Sequence, residues 1–241
     1  MSEIRLDVAL VQRGLTPSRE RAQEAISAGL VLVNGKPAAK PALKVGEGDQ
    51  LEVTGDPIGY VGRGGLKLEG ALDRFALDPA GLVCVDVGAS TGGFTDCLLR
   101  RGARLVYAVD VGRDQLHPDL RRDPRVINME GTDIRTVTSL PELPQLASID
   151  VSFISLTLVL PGVVRLLAPG GRIIALIKPQ FEVGPGGVGK GGIVRDPKRH
   201  KEAIDRVLSA AGALGLKAGP VIDSPVLGTE GNKEFLVEFR T

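Results

Sequence analysis

The sequence predicts an α/β chain: an open, doubly wound, mostly parallel sheet preceded by a small α+β module. Three observations predict it. From Gly81 onward the apolar runs LVCVDVG, RLVYAVDVG, RVINMEG, SIDVSFISL and GRIIALIKP alternate with helical patterns such as GGFTDCLLRRG and LVLPGVVRLLAPG, as βαβ units with strands buried on both faces require. The residues before about 58 read instead as two short helices followed by a hairpin. Between the two lies a stretch carrying Gly55, Pro57, Gly59 and Gly62, the composition of a boundary. The expected organisation is a first domain over 1–58, a linker over 59–66 and a second domain over 67–241.

In the first domain, RLDVALVQRGL has an apolar stripe at Leu6, Leu10 and Val11, and its helix stops at Gly14. Ser18 is placed to cap RERAQEAISAG, which Gly29 closes. In LVLVNGKPA the dipeptide Asn34-Gly35 follows alternating apolar residues, a hairpin signal. KVGEGDQLEV is expected to add a strand pair around Gly48. Late in the chain, AGPVIDSPVL and EFLVEFR read as a terminal antiparallel pair.

Composition narrows the function classes. The 241 residues carry a net charge of +1, so any polyanion-binding face must be local. Cys84 and Cys97 share no metal-ligand spacing, and two thiols in a chain this long suggest a reducing compartment. No metal site is expected. The longest uncharged stretch, from Val151 to Val164, contains Pro161 and is too short to cross a bilayer. A cytoplasmic protein is expected.

The first βα turn, in VDVGASTGGFT, is where a sheet of this kind binds ligands. Its spacing, G-x-x-x-G-G from Gly88 to Gly93, departs from the G-x-G-x-x-G that admits a pyrophosphate, which argues against a nicotinamide cofactor. Asp110 ends the second strand, where a carboxylate accepts ribose hydroxyls of an adenosine. GPGGVGKG, Gly184 to Gly191, has phosphate-loop spacing but places Gly191 where Ser or Thr must hold magnesium, and reads as a glycine-rich active-site loop.

Glycine turn, Asp86 before it and Asp110 after it resemble the fingerprint of Rossmann-like S-adenosyl-L-methionine-dependent methyltransferases. That resemblance implies Asp86 near the cofactor's ammonium, a helix start near Gly92 holding its carboxylate, and Asp133 in GTDIRTV at its adenine edge. Ala89, Ser90, Thr91, Gly93 and Phe94 complete the expected cofactor loop.

Four polar residues stand at positions where apolar or loop residues are expected. Lys67 lies in RGGLKL, Asp150 ends the fourth strand, Lys178 ends the fifth and Glu234 starts the last. The set resembles the Lys-Asp-Lys-Glu tetrad of ribose 2′-O-methyltransferases with an FtsJ-like domain. The strings RGGLKL, DVGASTGGFTDCLL, DVSFISL, KPQFE, VGKGGIVRD and EGNKEFL resemble one group among them, the TlyA or haemolysin-A-like ribosomal RNA methyltransferases. The first domain, through RLDVAL, SRERAQEAISAGLVLVNGK and VGEGDQLEV, resembles the S4-type RNA-binding domain. That likeness implies RNA contacts from Arg5, Arg13, Arg19, Arg21 and Lys36, with Lys40 and Lys44 as further cations; acids including Asp7, Glu20 and Asp49 offset them.

The group's product is 2′-O-methylcytidine in ribosomal RNA, so RNA or a ribosomal subunit is the implied partner. A ribose hydroxyl loses its proton as it attacks, so the site needs a base and tight positioning. A lysine with an ordinary pKa of about 10.4 serves only in a dry, closed site. Lys178 is the expected activating residue, Asp150 orients it, Lys67 stabilises alkoxide charge, and Glu234 fixes the other lysine or the ribose; the two lysines can exchange roles. Phe153 and Phe181 flank this crevice as candidates for stacking a flipped-out base, and His117 and His200 read as surface residues. A non-catalytic RNA-binding or ribosome-assembly factor is the rival reading, and it needs no tetrad.

Overall fold

A computed structural model describes residues 3–55, 58–228 and 231–241. Pro57 of the boundary stretch and Glu230 of EGNKEFL lie outside the described residues, as do the side chains of Pro185 and Lys190. The chain divides between Gly59 and Tyr60 into two compact units.

The first unit runs β1 (Ile4–Arg5), α1 (Leu6–Gln12), α2 (Arg19–Ser27), β2 (Val31–Val33), β3 (Lys36–Pro37), β4 (Lys44–Val45) and β5 (Leu51–Val53). The Ser18 hydroxyl accepts the Arg21 N–H, capping α2. Leu6, Ala9 and Leu10 of α1 pack on Ala22, Ala25 and Ile26 of α2 and on Val31 and Val45. Asn34 and Gly35 have φ of 51° and 75°, the geometry of a tight hairpin turn between β2 and β3.

KVGEGDQLEV does not form the expected strand pair. β4 pairs with β1, and β5 takes the open edge of β2. The Asp49 carboxylate accepts both the Gly46 N–H and the Asn34 side-chain amide, so the turn is fastened to the hairpin loop and its arms diverge.

The second unit contains α3 (Gly64–Arg74), β6 (Val83–Val87), α4 (Gly93–Arg100), β7 (Leu105–Asp110), α5 (Pro118–Arg122), β8 (Val126–Glu130), β9 (Leu146–Ile149), α6 (Leu156–Leu166), β10 (Arg172–Ile177), α7 (Pro179–Glu182), α8 (Pro197–Ala213), β11 (Lys217–Asp223) and β12 (Phe235–Arg240). Residues 64–66, inside the stretch read as linker, are helical. The strands form one sheet in the order β11-β12-β10-β9-β6-β7-β8, with β12 antiparallel to both neighbours. The chain winds outward from β6 to β8, then returns to β9 beside β6. The reversal leaves a crevice at the carboxyl ends of β6 and β9.

Alternation sorts the two faces. Val83, Val85 and Val87 join α6 and α8 residues Leu160, Val163 and Val207 in one core. Cys84 and Asp86 point the other way, toward α4, whose Thr95 hydroxyl donates to Asp86.

SIDVSFISL is strand only through Ile149. Phe153 adopts φ of 63°, which a strand cannot continue. The Glu182 carboxylate then accepts the Ser155 hydroxyl and the Leu156 N–H and starts α6. Among the described residues no helix is long and apolar enough to cross a membrane.

Candidate active site

Two cavities open at the carboxyl ends of the central strands. The first, about 220 Å³, is lined by Arg63, Lys67, the Gly88–Thr91 turn, Gly93, Phe94, Asp150, Ser152, Lys178, Leu227 and Glu234. The second, about 590 Å³, runs past Val109–Gly112 and Thr132–Arg135 to Phe153 and Ile154. Gly88, Ser90, Asp150 and Ser152 belong to both linings.

The four polar residues singled out from sequence meet in the first cavity as two ion pairs. Lys67 Nζ lies 2.6 Å from Glu234 Oε2, and both side chains are buried. Lys178 Nζ lies 2.6 Å from Asp150 Oδ1 and donates to Ser152 Oγ at 2.9 Å. Each of Asp150, Lys178 and Glu234 sits one residue outside its strand, where the side chain leaves the pleat. Lys67 is reached from α3.

The glycine turn is held from β7. Gly88 and Ala89 N–H groups donate to Val109 O, and Ser90 N–H donates to Asp110 Oδ2 at 2.8 Å. A Cβ on Gly88, whose φ is 86°, would stand 2.4 Å from Asp150 O, so the turn and the tetrad approach too closely for any side chain. Gly92 caps α4 in a left-handed conformation. A Cβ on Gly93 would lie 3.0 Å from Gly65 N, which is how α4 admits the start of α3. Phe94 is buried against this contact and lines the cavity.

Asp110 and Asp133 line the larger cavity. Asp110 Oδ1 also accepts Gly112 N–H. Asp133 caps the turn at Ile134 and binds Arg135 through both oxygens, which holds its carboxyl below the ordinary value of 3.8. Glu130, absent from the sequence reading, accepts Gln115 and Leu116 N–H and shapes the neighbouring loop.

Three features singled out from sequence lie in surroundings other than those expected. Asp86 lines neither cavity; it is fully buried, its oxygens accepting the Thr95 and Ser148 hydroxyls at 2.7 and 3.0 Å. Burial pushes its pKa up to about 7, with the hydroxyls opposing and Asp150 adding to the rise. It ties α4 to β9 through those two hydroxyls. Among the described residues, the glycine-rich segment after α7 contributes to neither lining. Buried Asn232 fastens that segment, accepting Val194 N–H and donating to Gly192 O. His200 is no plain surface residue: its Nε2 lies 2.8 Å from Val194 O, and its ring packs on Phe235.

Of the expected RNA contacts, Arg13 is spent internally, donating to Asp49 O at 2.6 Å and Gly46 O at 2.7 Å. Arg5 and Arg19 stay partly exposed while both bind Asp7. Arg21 lies in the first turn of α2, and Lys36 is exposed on β3. Phe153 is 92% exposed, with its ring 5.2 Å from that of Phe181.

Comparison with known proteins gives this geometry a family. The FtsJ-like methyltransferase profile matches residues 60–241, and the S4 domain profile matches residues 4–51. "Putative rRNA methyltransferase YqxC" of Bacillus subtilis is 49% identical over 97% of this chain and 84% of its own. "16S/23S rRNA (cytidine-2'-O)-methyltransferase TlyA" of Mycobacterium tuberculosis is 46% identical over 98% of this chain and 90% of its own. The chain belongs to the TlyA-type FtsJ-like methyltransferases. A solved structure titled "Putative hemolysin from Streptococcus thermophilus" superposes on this methyltransferase with a TM-score of 0.78 and 44% identity, covering 100% of this chain and 89% of that one.

For a TlyA-type chain the missed residues are as telling as the found ones. Ser152 and Asn232 are uncharged residues in loops and Glu182 ends α7, and only their partners, far along the chain, reveal what they hold. Among the described residues no group of His, Cys, Asp and Glu is arranged to hold a metal.

Proposed function

We propose that this methyltransferase transfers a methyl group from S-adenosyl-L-methionine to the 2′-hydroxyl of a cytidine in ribosomal RNA, in the cytoplasm. One observation carries the reading: the residues that grip Lys178, Asp150 and Ser152, are among the four shared by the two cavities. A cofactor in the larger cavity and a ribose in the smaller one meet at that junction.

The cavities suit those two occupants. Val109, Val111 and Ile134 offer the larger one an apolar wall, and Asp110 and Asp133 provide carboxylates for an adenosine. Gly88 and Gly93 let the turn and the start of α4 pack directly on the backbone of Asp150 and α3, and Gly88 and Ser90 of the turn line both cavities. When bound, S-adenosyl-L-methionine supplies an electrophilic sulfonium methyl.

The chain's own residues do the rest. Lys178 receives the hydroxyl proton as the ribose oxygen attacks the sulfonium methyl, and Asp150 and Ser152 hold its amine in place. Lys67, fixed by Glu234, sets a positive charge beside the developing alkoxide. Burial of this second pair keeps water from screening it.

The printed name of the Mycobacterium tuberculosis relative supports cytidine in 16S or 23S RNA as the substrate class, and the S4 domain supports RNA. The test is transfer of radiolabelled methyl from S-adenosyl-L-methionine to total ribosomal RNA, followed by nuclease mapping. Label on a cytidine ribose is expected. Label on a base, or none, overturns the reading and returns the chain to a non-catalytic RNA-binding or ribosome-assembly role.

A further inference from the structure

Asp7 is a fully buried carboxylate in the first turn of α1, and three side chains from two other elements converge on it. Arg5 of β1 donates through Nε at 2.9 Å and Nη2 at 3.0 Å; Arg19 of α2 donates through Nε at 3.0 Å; Gln23 of α2 donates through Nε2 at 2.7 Å. The Arg5 guanidinium, ahead of the other two donors, holds the Asp7 carboxyl well below the usual carboxylate range against the cost of its burial.

One arginine is enough to neutralise this acid. The second is a like charge drawn to the same place, and a buried ion pair is weak evidence for stability. The arrangement makes sense from its outer side. The side chains of Arg5 and Arg19 are 39% and 57% exposed, and Arg19 meets Asp7 through its Nε. Planar guanidinium groups held by one edge present the other for bidentate contact with phosphate oxygens.

We propose that Asp7 is a positioning residue for ribosomal RNA: it holds Arg5 and Arg19 side by side so that their outer edges form one site for a backbone phosphate. This rests on the RNA substrate proposed above and names how the first domain grips it. It also makes a prediction of sign. If Asp7 merely opposed RNA as a negative charge, its neutralisation would tighten binding. As a positioning residue, its neutralisation must weaken it.

The experiment titrates the full chain with ribosomal RNA for wild type, Asp7→Asn and Arg19→Lys, alongside thermal unfolding and S-adenosyl-L-methionine binding. Asp7→Asn is expected to weaken RNA binding about tenfold, one bidentate charged contact, with cofactor affinity unchanged. Arg19→Lys keeps the charge and loses the planar Nε–H; it is expected to weaken binding to a similar degree with the unfolding midpoint unchanged. Because Arg19 is exposed, this variant decides the matter if Asp7→Asn does not fold. Wild-type affinity in Arg19→Lys, or equal or tighter binding in a folded Asp7→Asn, overturns the proposal. Wild-type protein that neither binds nor methylates ribosomal RNA overturns it together with the functional reading, whereas active wild type with indifferent variants overturns this site alone.

Discussion

Lys178 is where a single side chain decides the chemistry. Its amine is held by Asp150 and Ser152 at the meeting of the two cavities, so Lys178→Ala removes the proton acceptor without touching the walls of the larger cavity. Turnover should fall by about 10²–10⁴, the usual worth of a positioned base. Calorimetric affinity for S-adenosyl-L-methionine should stay near that of wild type, and full activity in the variant would sink the assignment. Asp86 makes a different prediction. Its folded pKa is about 7 against an ordinary 3.8, so the folded state keeps the proton longer than the unfolded chain. The associated stability is therefore present below pH 3.8 and is lost as pH rises through 7. While Asp86 alone titrates, each pH unit removes about 1.4 kcal/mol, or roughly 2–4 °C in Tm per kcal/mol for a domain of this size. Asp86→Asn keeps hydrogen-bonding partners for Thr95 and Ser148 without the titration. Its Tm should gain on wild type from pH 5 to about pH 7 and level off above that, and parallel profiles for the two proteins would show that the buried acid is not the cause.

Between elements, contact depends on missing side chains. The β6 turn meets the end of β9 at Gly88, and α4 meets α3 at Gly93. Gly88→Ala adds a methyl 2.4 Å from Asp150 O on a residue with φ of 86°. Strain and overpacking together should cost about 2–4 kcal/mol. Because the displaced group is the backbone of a proposed catalytic residue, methyl transfer should fall more than the loss of folded protein explains; a Tm drop with unaltered specific activity would contradict this. The same scale explains what was legible in the sequence. Strands of the large sheet announced themselves as apolar runs, and Asp150, Lys178 and Glu234 were visible because each is a charge at the end of such a run. Pairing of β4 with β1 was not visible, since it joins segments about forty residues apart and the local pattern suits a hairpin equally well. Burial of Asp86 was hidden for a related reason: a carboxylate after apolar residues looks the same whether it meets a ligand or two hydroxyls from α4 and β9.

The whole molecule has a net charge of +1, so it has no broad field with which to collect RNA, and any grip on a polyanion must be made locally. Ribosomal RNA binding should therefore count only a few phosphates. Of the five cations expected in the first domain, Arg13 is committed to the carbonyls of Asp49 and Gly46; Arg5 and Arg19 share the one phosphate site proposed above, and exposed Lys36 offers a second. Each neutralised phosphate contributes about −0.7 to −0.9 to the slope of log K against log salt. Two contacts give a slope of about −1.6, so raising monovalent salt fourfold should weaken RNA binding by about ninefold. S-adenosyl-L-methionine, which meets the second domain through short-range contacts in its cavities, should bind almost equally at both salt concentrations. Charge removal separates the two kinds of arginine. Arg19→Ala should make the RNA slope shallower by nearly one, whereas Arg13→Ala should leave the slope alone and lower the unfolding midpoint of the first domain. A salt slope near zero, or a slope that responds to Arg13 and not to Arg19, would mean that RNA is held somewhere other than the first domain.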